Sequence, residues 1–130
     1  MTLGKTKAML LAAGLGTRLK PLTDFIPKPL IPINGIPLIF YNLALLKKHG
    51  IREVVINLHH LGGRIQTILG DGKDYGFIFH YSFEPKILGT GGGVKRAESF
   101  LKNGPFFVLN ADIIIDANLT GIMDHHRKNG

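Results

Sequence analysis

The chain has 130 residues, a formal net charge of +7, 45% apolar and 19% charged residues, and no cysteine. This length predicts one domain with an apolar core, and a chain without cysteine has no disulfide framework or thiolate metal site. The positive charge favours anionic partners, but the cations are scattered and no apolar run approaches the roughly 20 residues that span a bilayer. We therefore expect a cytoplasmic protein without a signal peptide that binds neither nucleic acid nor membrane.

Short apolar runs and helical patterns alternate along the chain, separated by glycine and proline. In chain order, the predicted elements are a strand at 7–13, a loop at 14–36, a helix at 37–49, a strand at 53–58, a helix at 61–69, a strand at 77–82, a helix at 91–101, a strand at 106–110 and a helix at 119–128. Strands that alternate with helices predict an open α/β sheet of parallel strands. Ligands of such sheets bind beyond the carboxyl ends of the strands.

The stretch "GLGTR" follows the first strand. Gly14 and Gly16 let backbone N–H groups approach a ligand, and the fork of Arg18 matches phosphate oxygens. The alternative is a tight turn with a surface arginine. Neither the complete dinucleotide fingerprint nor a P-loop is present, so a phosphate site here is of another kind.

The stretch "IPKPLIPING" holds Lys28 between two prolines. The prolines restrict the backbone on both sides of the lysine, so its side chain is directed. A point cation with this reach suits a phosphate group in a cleft. The alternative is a rigid surface loop with a solvated lysine.

The stretch "EPKILGTGGGVKRAE" places four glycines at the start of a predicted helix. Gly89 and Gly91 could let the chain pass close to a base or a sugar, and Glu84 could accept hydrogen bonds from a base edge or a hydroxyl. The alternative is a flexible loop with a capped helix.

Asp112 follows the predicted strand "FFVLN" by two residues. A carboxylate at this position can hold Mg²⁺ against phosphate oxygens, although it could also bond its own backbone in a turn. Nothing in the sequence marks Asp116 as a metal ligand. The pairs His59–His60 and His125–His126 lack a spaced third ligand, so we predict no metal site there.

Four blocks in this order and spacing resemble the sugar-1-phosphate nucleotidyltransferase family. The blocks are "LLAAGLGTRLKPLT", "PKPLIPINGIPLI", "LGTGGG" and "LNAD". The resemblance covers about residues 7–124 and implies a three-layer, Rossmann-like sheet with helices on both faces. It also implies transfer of a nucleotidyl group from a nucleoside triphosphate to a sugar 1-phosphate, which releases pyrophosphate.

The resemblance also implies roles for individual residues. Arg18 and Lys28 would be catalytic, and Asp112 would hold Mg²⁺, the implied cofactor. The nucleotide would be bound by Leu11, Ala12, Ala13, Gly14, Gly16, Thr17, Glu84, Gly89 and Gly91. Phosphoryl-type transfer depends on positioning and electrostatic stabilisation, and these residues offer both.

The branch that the chain looks most like contains mannose-1-phosphate guanylyltransferase-like and N-acetylmuramate 1-phosphate uridylyltransferase-like proteins. GTP or UTP is therefore the expected nucleotide. Catalytic domains of the family are usually longer, so we expect residues 1–130 to be the truncated, N-terminal nucleotide-binding part, with a free sheet edge that favours a homo-oligomer. The alternatives are a non-catalytic nucleotide-binding module and nucleotidyl transfer to a non-sugar phosphate such as phosphocholine.

Overall fold

The computed structural model describes residues 5–14, 20–59 and 61–129. Its strands are β1 Lys7–Leu11, β2 Pro32–Ile33, β3 Ile36–Pro37, β4 Glu53–Leu58, β5 Ile78–Phe83 and β6 Phe106–Asn110. Four of them form a parallel sheet in the order β5-β4-β1-β6. The helices are α1 Leu38–Lys48, α2 Gly62–Leu69, α3 Gly89–Arg96, α4 Glu98–Leu101 and α5 Leu119–Asn129.

The sheet is covered on both faces, which confirms the three-layer α/β fold. Ala8 and Leu10 of β1 point to one face, where α1, α2 and α5 bury the larger part of the core. Met9 points to the opposite face and packs with Ala97 and Leu101 of the α3–α4 segment. Successive strand side chains point to opposite faces, so an uninterrupted apolar run such as "AMLL" is what a doubly covered strand requires.

The strand order creates a switch point beside β1. The chain runs from β1 through β4 to β5 on one side, then crosses back to place β6 on the other side of β1. The carboxyl ends of β1 and β6 therefore border the crevice at the point where the strand order reverses. Ligands of open α/β sheets bind at such a crevice.

The described part of the predicted loop at 14–36 contains short elements of regular secondary structure. Short 3₁₀ turns cover Leu22–Asp24 and Lys28–Leu30, and β2 and β3 form a hairpin. Asn34 and Gly35 both have positive φ, 52° and 78°, as a type I′ hairpin turn needs. The "NG" pair thus reverses the chain between β2 and β3, and α1 follows β3 directly. This helix begins at Leu38, one residue later than the predicted start at Pro37.

The predicted helix at 91–101 differs most from the structure. Helix α3 already begins at Gly89 and includes the glycines, and the helix is interrupted at Ala97 before α4. Close packing explains a glycine in this helix, because a Cβ on Gly93 would lie 2.9 Å from both Asn57 Nδ2 and Glu84 Oε2. Among the described residues, no helix combines the length and apolar character that crossing a membrane requires.

Candidate functional site

A cleft of about 190 Å³ lies at the carboxyl ends of all four parallel strands. Eight of the predicted site residues line it: Leu11, Ala12, Ala13, Gly14, Lys28, Glu84, Gly89 and Asp112. Sequence reasoning missed Asn57, Ile87 and Thr90, which also line it. Gly91 instead borders a separate depression, which Val94, Lys95 and Phe106 also line. Gly16, Thr17 and Arg18 lie outside the described residues.

Lys28 is held at the cleft by the backbone around it. Pro27 is extended, with φ −62° and ψ 141°, and caps the 3₁₀ turn that begins at Lys28, while Pro29 is buried. The lysine Nζ reaches Asp112 Oδ2 at 2.9 Å, and about a third of each side chain is exposed. A cation and a carboxylate that come from distant parts of the chain therefore meet in the cleft and remain accessible to a ligand.

Two side-chain hydrogen bonds connect the ends of β1, β4 and β5 at the cleft, and a third lies within the loop after β5. Asn57 Oδ1 accepts the Ala12 N–H at 2.6 Å, and Asn57 Nδ2 donates to Glu84 Oε2 at 3.0 Å. The other Glu84 oxygen accepts the Leu88 N–H at 3.2 Å. Glu84 is completely buried and Asn57 is 3% exposed. These two side chains thus fix the backbone at the end of β1 and in the loop that leads to α3.

The backbone of Glu84 is tied to the end of β4 as well. Its N–H donates to the Leu58 carbonyl at 2.7 Å, and its carbonyl accepts from His59 Nδ1 at 2.6 Å. His59 is therefore occupied as a hydrogen-bond donor to the backbone. The prediction that this histidine is a loop residue agrees with that contact.

The end of β6 is supported from α1. Asn42, which is 1% exposed, donates from Nδ2 to the Asn110 carbonyl at 3.1 Å. The Ala111 N–H continues the ladder by donating to the Leu11 carbonyl at 3.1 Å. Together these bonds set the course of the chain two residues before Asp112. The Oδ1 atom of Asn42 has no hydrogen-bond partner among the described residues.

The described residues contain no group of three or more His, Asp or Glu side chains that could hold a metal ion. A Mg²⁺ ion needs fewer protein ligands, because it keeps several waters and is bound through one or two carboxylates together with substrate phosphates. Asp112 offers such a carboxylate. Its side chain is partly exposed and lies next to Lys28, a cation that can bind phosphate. The donor set therefore fits magnesium delivered with a nucleotide.

Known proteins resemble this chain over almost all its length. The family description "Nucleotidyl transferase" matches residues 7–130. The chain is 48% identical over 115 residues to N-acetylmuramate alpha-1-phosphate uridylyltransferase of Neisseria meningitidis, with 88% of this chain and 50% of the relative covered. It is 34% identical to mannose-1-phosphate guanylyltransferase of Mycobacterium tuberculosis, with 99% of this chain and 36% of the relative covered.

Solved structures share the fold. A protein of Bacillus anthracis assigned as a glucose-1-phosphate thymidylyltransferase superposes with a TM-score of 0.88 at 27% identity. The matched region is 95% of this chain and 50% of the chain of that protein. HddC of Yersinia pseudotuberculosis, complexed with GMP-PN, superposes with a TM-score of 0.82 at 27% identity. The matched region is 92% of this chain and 53% of the HddC chain.

The chain spans half or less of the curated relatives described above. The blocks that predicted the family, and the predicted parallel α/β sheet, agree with these matches. The chain belongs to the sugar-1-phosphate nucleotidyltransferase family.

Proposed function

We propose that this chain binds a nucleoside triphosphate in the cleft and is the nucleotide-binding part, residues 1–130, of an enzyme that transfers a nucleotidyl group to a sugar 1-phosphate. The observation that carries the proposal is the meeting of Lys28 and Asp112, at 2.9 Å, at the edge where β1 and β6 end. A cation and a carboxylate at a switch point suit a triphosphate with its metal.

The residues divide into three groups by the part of the nucleotide that they would contact. The backbone of Leu11, Ala12, Ala13 and Gly14 would follow the nucleoside, and Glu84 and Gly89 would lie around the base. Gly16, Thr17 and Arg18 would bind the triphosphate oxygens. Lys28 would bridge phosphates, and Asp112 would hold Mg²⁺.

The reaction is a substitution at the α-phosphorus. An oxygen of the sugar 1-phosphate forms a bond to that phosphorus, the bond to the β-phosphate oxygen breaks, and pyrophosphate leaves with the electron pair. Lys28 and Arg18 would neutralise the charge that grows on the departing phosphates. When bound, Mg²⁺ supplies Lewis-acid stabilisation of the phosphate oxygens.

The identity of the base is a narrower proposal. The relatives include uridylyltransferases and guanylyltransferases, which supports UTP or GTP as the nucleotide. The acceptor is a sugar 1-phosphate in each of these relatives by name. A homo-oligomer that forms through a free sheet edge stays a prediction.

Calorimetry tests the proposal directly. The chain is titrated with ATP, GTP, CTP, UTP and dTTP, with and without Mg²⁺, beside an Arg18→Ala variant. We expect one or two nucleotides to bind with micromolar affinity in the presence of Mg²⁺ and the variant to lose that binding. The matched control is Arg127→Ala in the exposed end of α5, which should bind like the wild type. Failure of every nucleotide to bind the wild-type chain would overturn the proposal.

A further inference from the structure

A second depression lies beside the edge strand β5, on the face of the sheet that carries Met9. Its volume is about 560 Å³, within the range of about 300–1,000 Å³ that is usual for small-molecule sites. We call it the edge depression, and it is lined by Val55, His80, Tyr81, Ser82, Phe83, Arg96, Ala97, Ser99 and Phe100. None of these residues lines the cleft at the carboxyl ends of the strands.

The edge depression forms where the helices on this face meet the outermost strand. The α3–α4 segment packs on Met9 and Val55. His80 of β5 aligns with Val55 and lies two residues before Ser82, so both β5 side chains point to the same face. In the described sheet no strand follows β5. The two polar side chains therefore border an open space between the helices and the edge of the sheet.

The backbone of β5 adds hydrogen-bond donors to this space. The N–H groups of Ile78 and Glu84 donate towards β4, to carbonyl oxygens at 2.8 and 2.7 Å. Backbone groups alternate in direction along a strand, so the N–H groups of Tyr81 and Phe83 point away from β4 to the open edge. Both residues line the edge depression, which therefore has backbone donors as well as the hydroxyl groups of Ser82 and Ser99.

The charged group of the edge depression is Arg96, in the last turn of α3. Arg96 is exposed, and the ion pairs among residues 5–14, 20–59 and 61–129 do not include it. The described lining contains no carboxylate, and the nearby Glu98 is bound to Lys95 at 3.1 Å. Lys7 adds positive charge, because its Nζ lies 4.7 Å from the centre of the Phe100 ring. Positive charge and donors without an acidic counterpart favour an anion.

Aromatic rings form the apolar part of the lining. Phe83 is 54% exposed, which is unusual for so large an apolar side chain without a partner surface. The His80 and Phe100 rings lie with their centres 4.6 Å apart, at an interplanar angle of 50°. Lys7 Nζ donates to the Phe100 carbonyl at 2.8 Å and so helps to fix this residue. Exposed and fixed rings of this kind suit a ligand that itself carries a planar ring.

We propose that the edge depression is a second ligand site, which binds a phosphate monoester with a planar ring, as a nucleoside monophosphate is. The guanidinium fork of Arg96 would pair with the phosphate oxygens, and the hydroxyl groups of Ser82 and Ser99 would donate further hydrogen bonds. Phe83 would pack against the ring. This site shares no residue with the triphosphate cleft, so the inference goes beyond the proposed function and does not depend on it.

A titration with adenosine 5′-monophosphate, followed by the backbone amide signals in NMR, tests the site. This probe is chosen because the cleft is expected to take UTP or GTP. We expect saturable shifts at residues 80–83 and 96–100, with a dissociation constant below about 1 mM. Adenosine, which lacks the phosphate, and inorganic phosphate, which lacks the ring, should each bind at least about tenfold more weakly. Equal binding of either fragment would overturn the proposed class of ligand.

Substitutions at exposed positions assign the contacts. Arg96→Gln should weaken binding of adenosine 5′-monophosphate at least about tenfold, because it removes the charge that pairs with the phosphate. Phe83→Leu keeps an apolar side chain but loses the ring, and should weaken binding about threefold or more. The matched control is Arg127→Gln, which removes an exposed arginine from the last turn of α5 and should bind like the wild type. Equal dissociation constants for Arg96→Gln and Arg127→Gln would overturn the proposal.

The same titration separates the two sites. Shifts that saturate only at residues 11–14 and 110–112 would place the probe in the cleft and overturn the second site. Lys28→Ala should leave the shifts at residues 80–83 and 96–100 unchanged, because Lys28 does not line the edge depression. A chain that binds adenosine 5′-monophosphate at the edge depression but no nucleoside triphosphate would overturn the proposed function and leave this inference standing.

Discussion

The ammonium group of Lys28 lies 2.9 Å from Asp112 Oδ2, so the loop after β1 and the segment after β6 meet through opposite charges. About a third of each side chain is exposed, and ion pairs of that kind contribute only about 0–1 kcal/mol to folding. Both groups can therefore exchange their partner for a ligand at little cost to the fold. A phosphate would attract the lysine and a metal would attract the carboxylate.

Replacing Lys28 by alanine should weaken nucleotide binding far more than it lowers stability. The variant loses a directed cation, which we expect to raise the dissociation constant about tenfold or more, while the free energy of unfolding changes by less than about 1 kcal/mol. Calorimetry and urea unfolding measure the two quantities. The control is Lys95→Ala, which removes an exposed ion pair of 3.1 Å to Glu98 outside the cleft. Equal effects of the two substitutions on binding would contradict the role of Lys28.

The response of nucleotide binding to Mg²⁺ should depend on Asp112. In Asp112→Asn the side chain keeps its size but loses the charge that attracts the metal, so added Mg²⁺ should no longer strengthen binding. Titrations of nucleotide at several Mg²⁺ concentrations provide the measurement. Asp116→Asn, which alters an exposed aspartate four residues later, serves as the control and should keep the wild-type response. If Mg²⁺ strengthened nucleotide binding to Asp112→Asn as it does in the wild type, Asp112 would not be a metal ligand.

Two glycines of α3 should respond oppositely to alanine. Gly93→Ala places a methyl group 2.9 Å from Asn57 and Glu84, so we expect a loss of about 1–3 kcal/mol in the free energy of unfolding. Gly91→Ala meets no atom within 4 Å, and there the lower entropy of alanine in the unfolded chain should stabilise the protein by about 0.5–1 kcal/mol. Urea unfolding of the pair checks both signs. Destabilisation of similar size by both would contradict this account of the packing.

Stability in alkaline solution should depend on Tyr81. Burial, with a further contribution from the charge of Asp71, raises the pKa of Tyr81 from its ordinary 10.0 to about 12. Its hydroxyl donates to the Gly70 carbonyl at 2.6 Å. The folded state therefore keeps a proton that the unfolded chain releases above pH 10, so this contribution is complete below pH 10 and is lost as the pH rises towards 12.

The comparison for that prediction is Tyr81→Phe. The variant should be less stable than the wild type by about 1 kcal/mol at neutral pH, because it lacks the hydrogen bond. Urea unfolding from pH 7 to pH 11.5 should show the difference between the two proteins shrinking above pH 10. A difference that stays constant over the whole range would mean that the tyrosine does not titrate as the structure indicates.

The strands were predictable because a parallel sheet covered on both faces needs continuous apolar runs. The runs at 53–58 and 106–110 match β4 and β6 as predicted. The course of α3 was not predictable from propensity, since glycine usually opens or ends a helix. A glycine stands at position 93 inside the helix because the helix passes so close to Asn57 and Glu84 that this position has no room for a side chain.

Of the cleft residues that sequence reasoning missed, Asn57 is the one that a physical argument could have found. It stood inside "EVVINL" and counted simply as a strand residue, although a lone polar side chain in a doubly buried strand must find a buried partner. That argument could have marked it as a site residue. The pairing of Lys28 with Asp112 could not have been derived in the same way, because it depends on which strand lies next to β1, and local patterns do not encode that order.

The position of β1 at the centre of the sheet has a consequence for synthesis on the ribosome. Lys7 of this first strand aligns with Phe106 of β6, whereas its other neighbour, β4, is translated much earlier. A nascent chain can pair β1 with β4 while β6 is still untranslated, but Lys28 then has no Asp112 to meet. The cleft is complete only after residues 106–112 have left the exit tunnel, and until then one edge of the first strand is open to pairing with another chain.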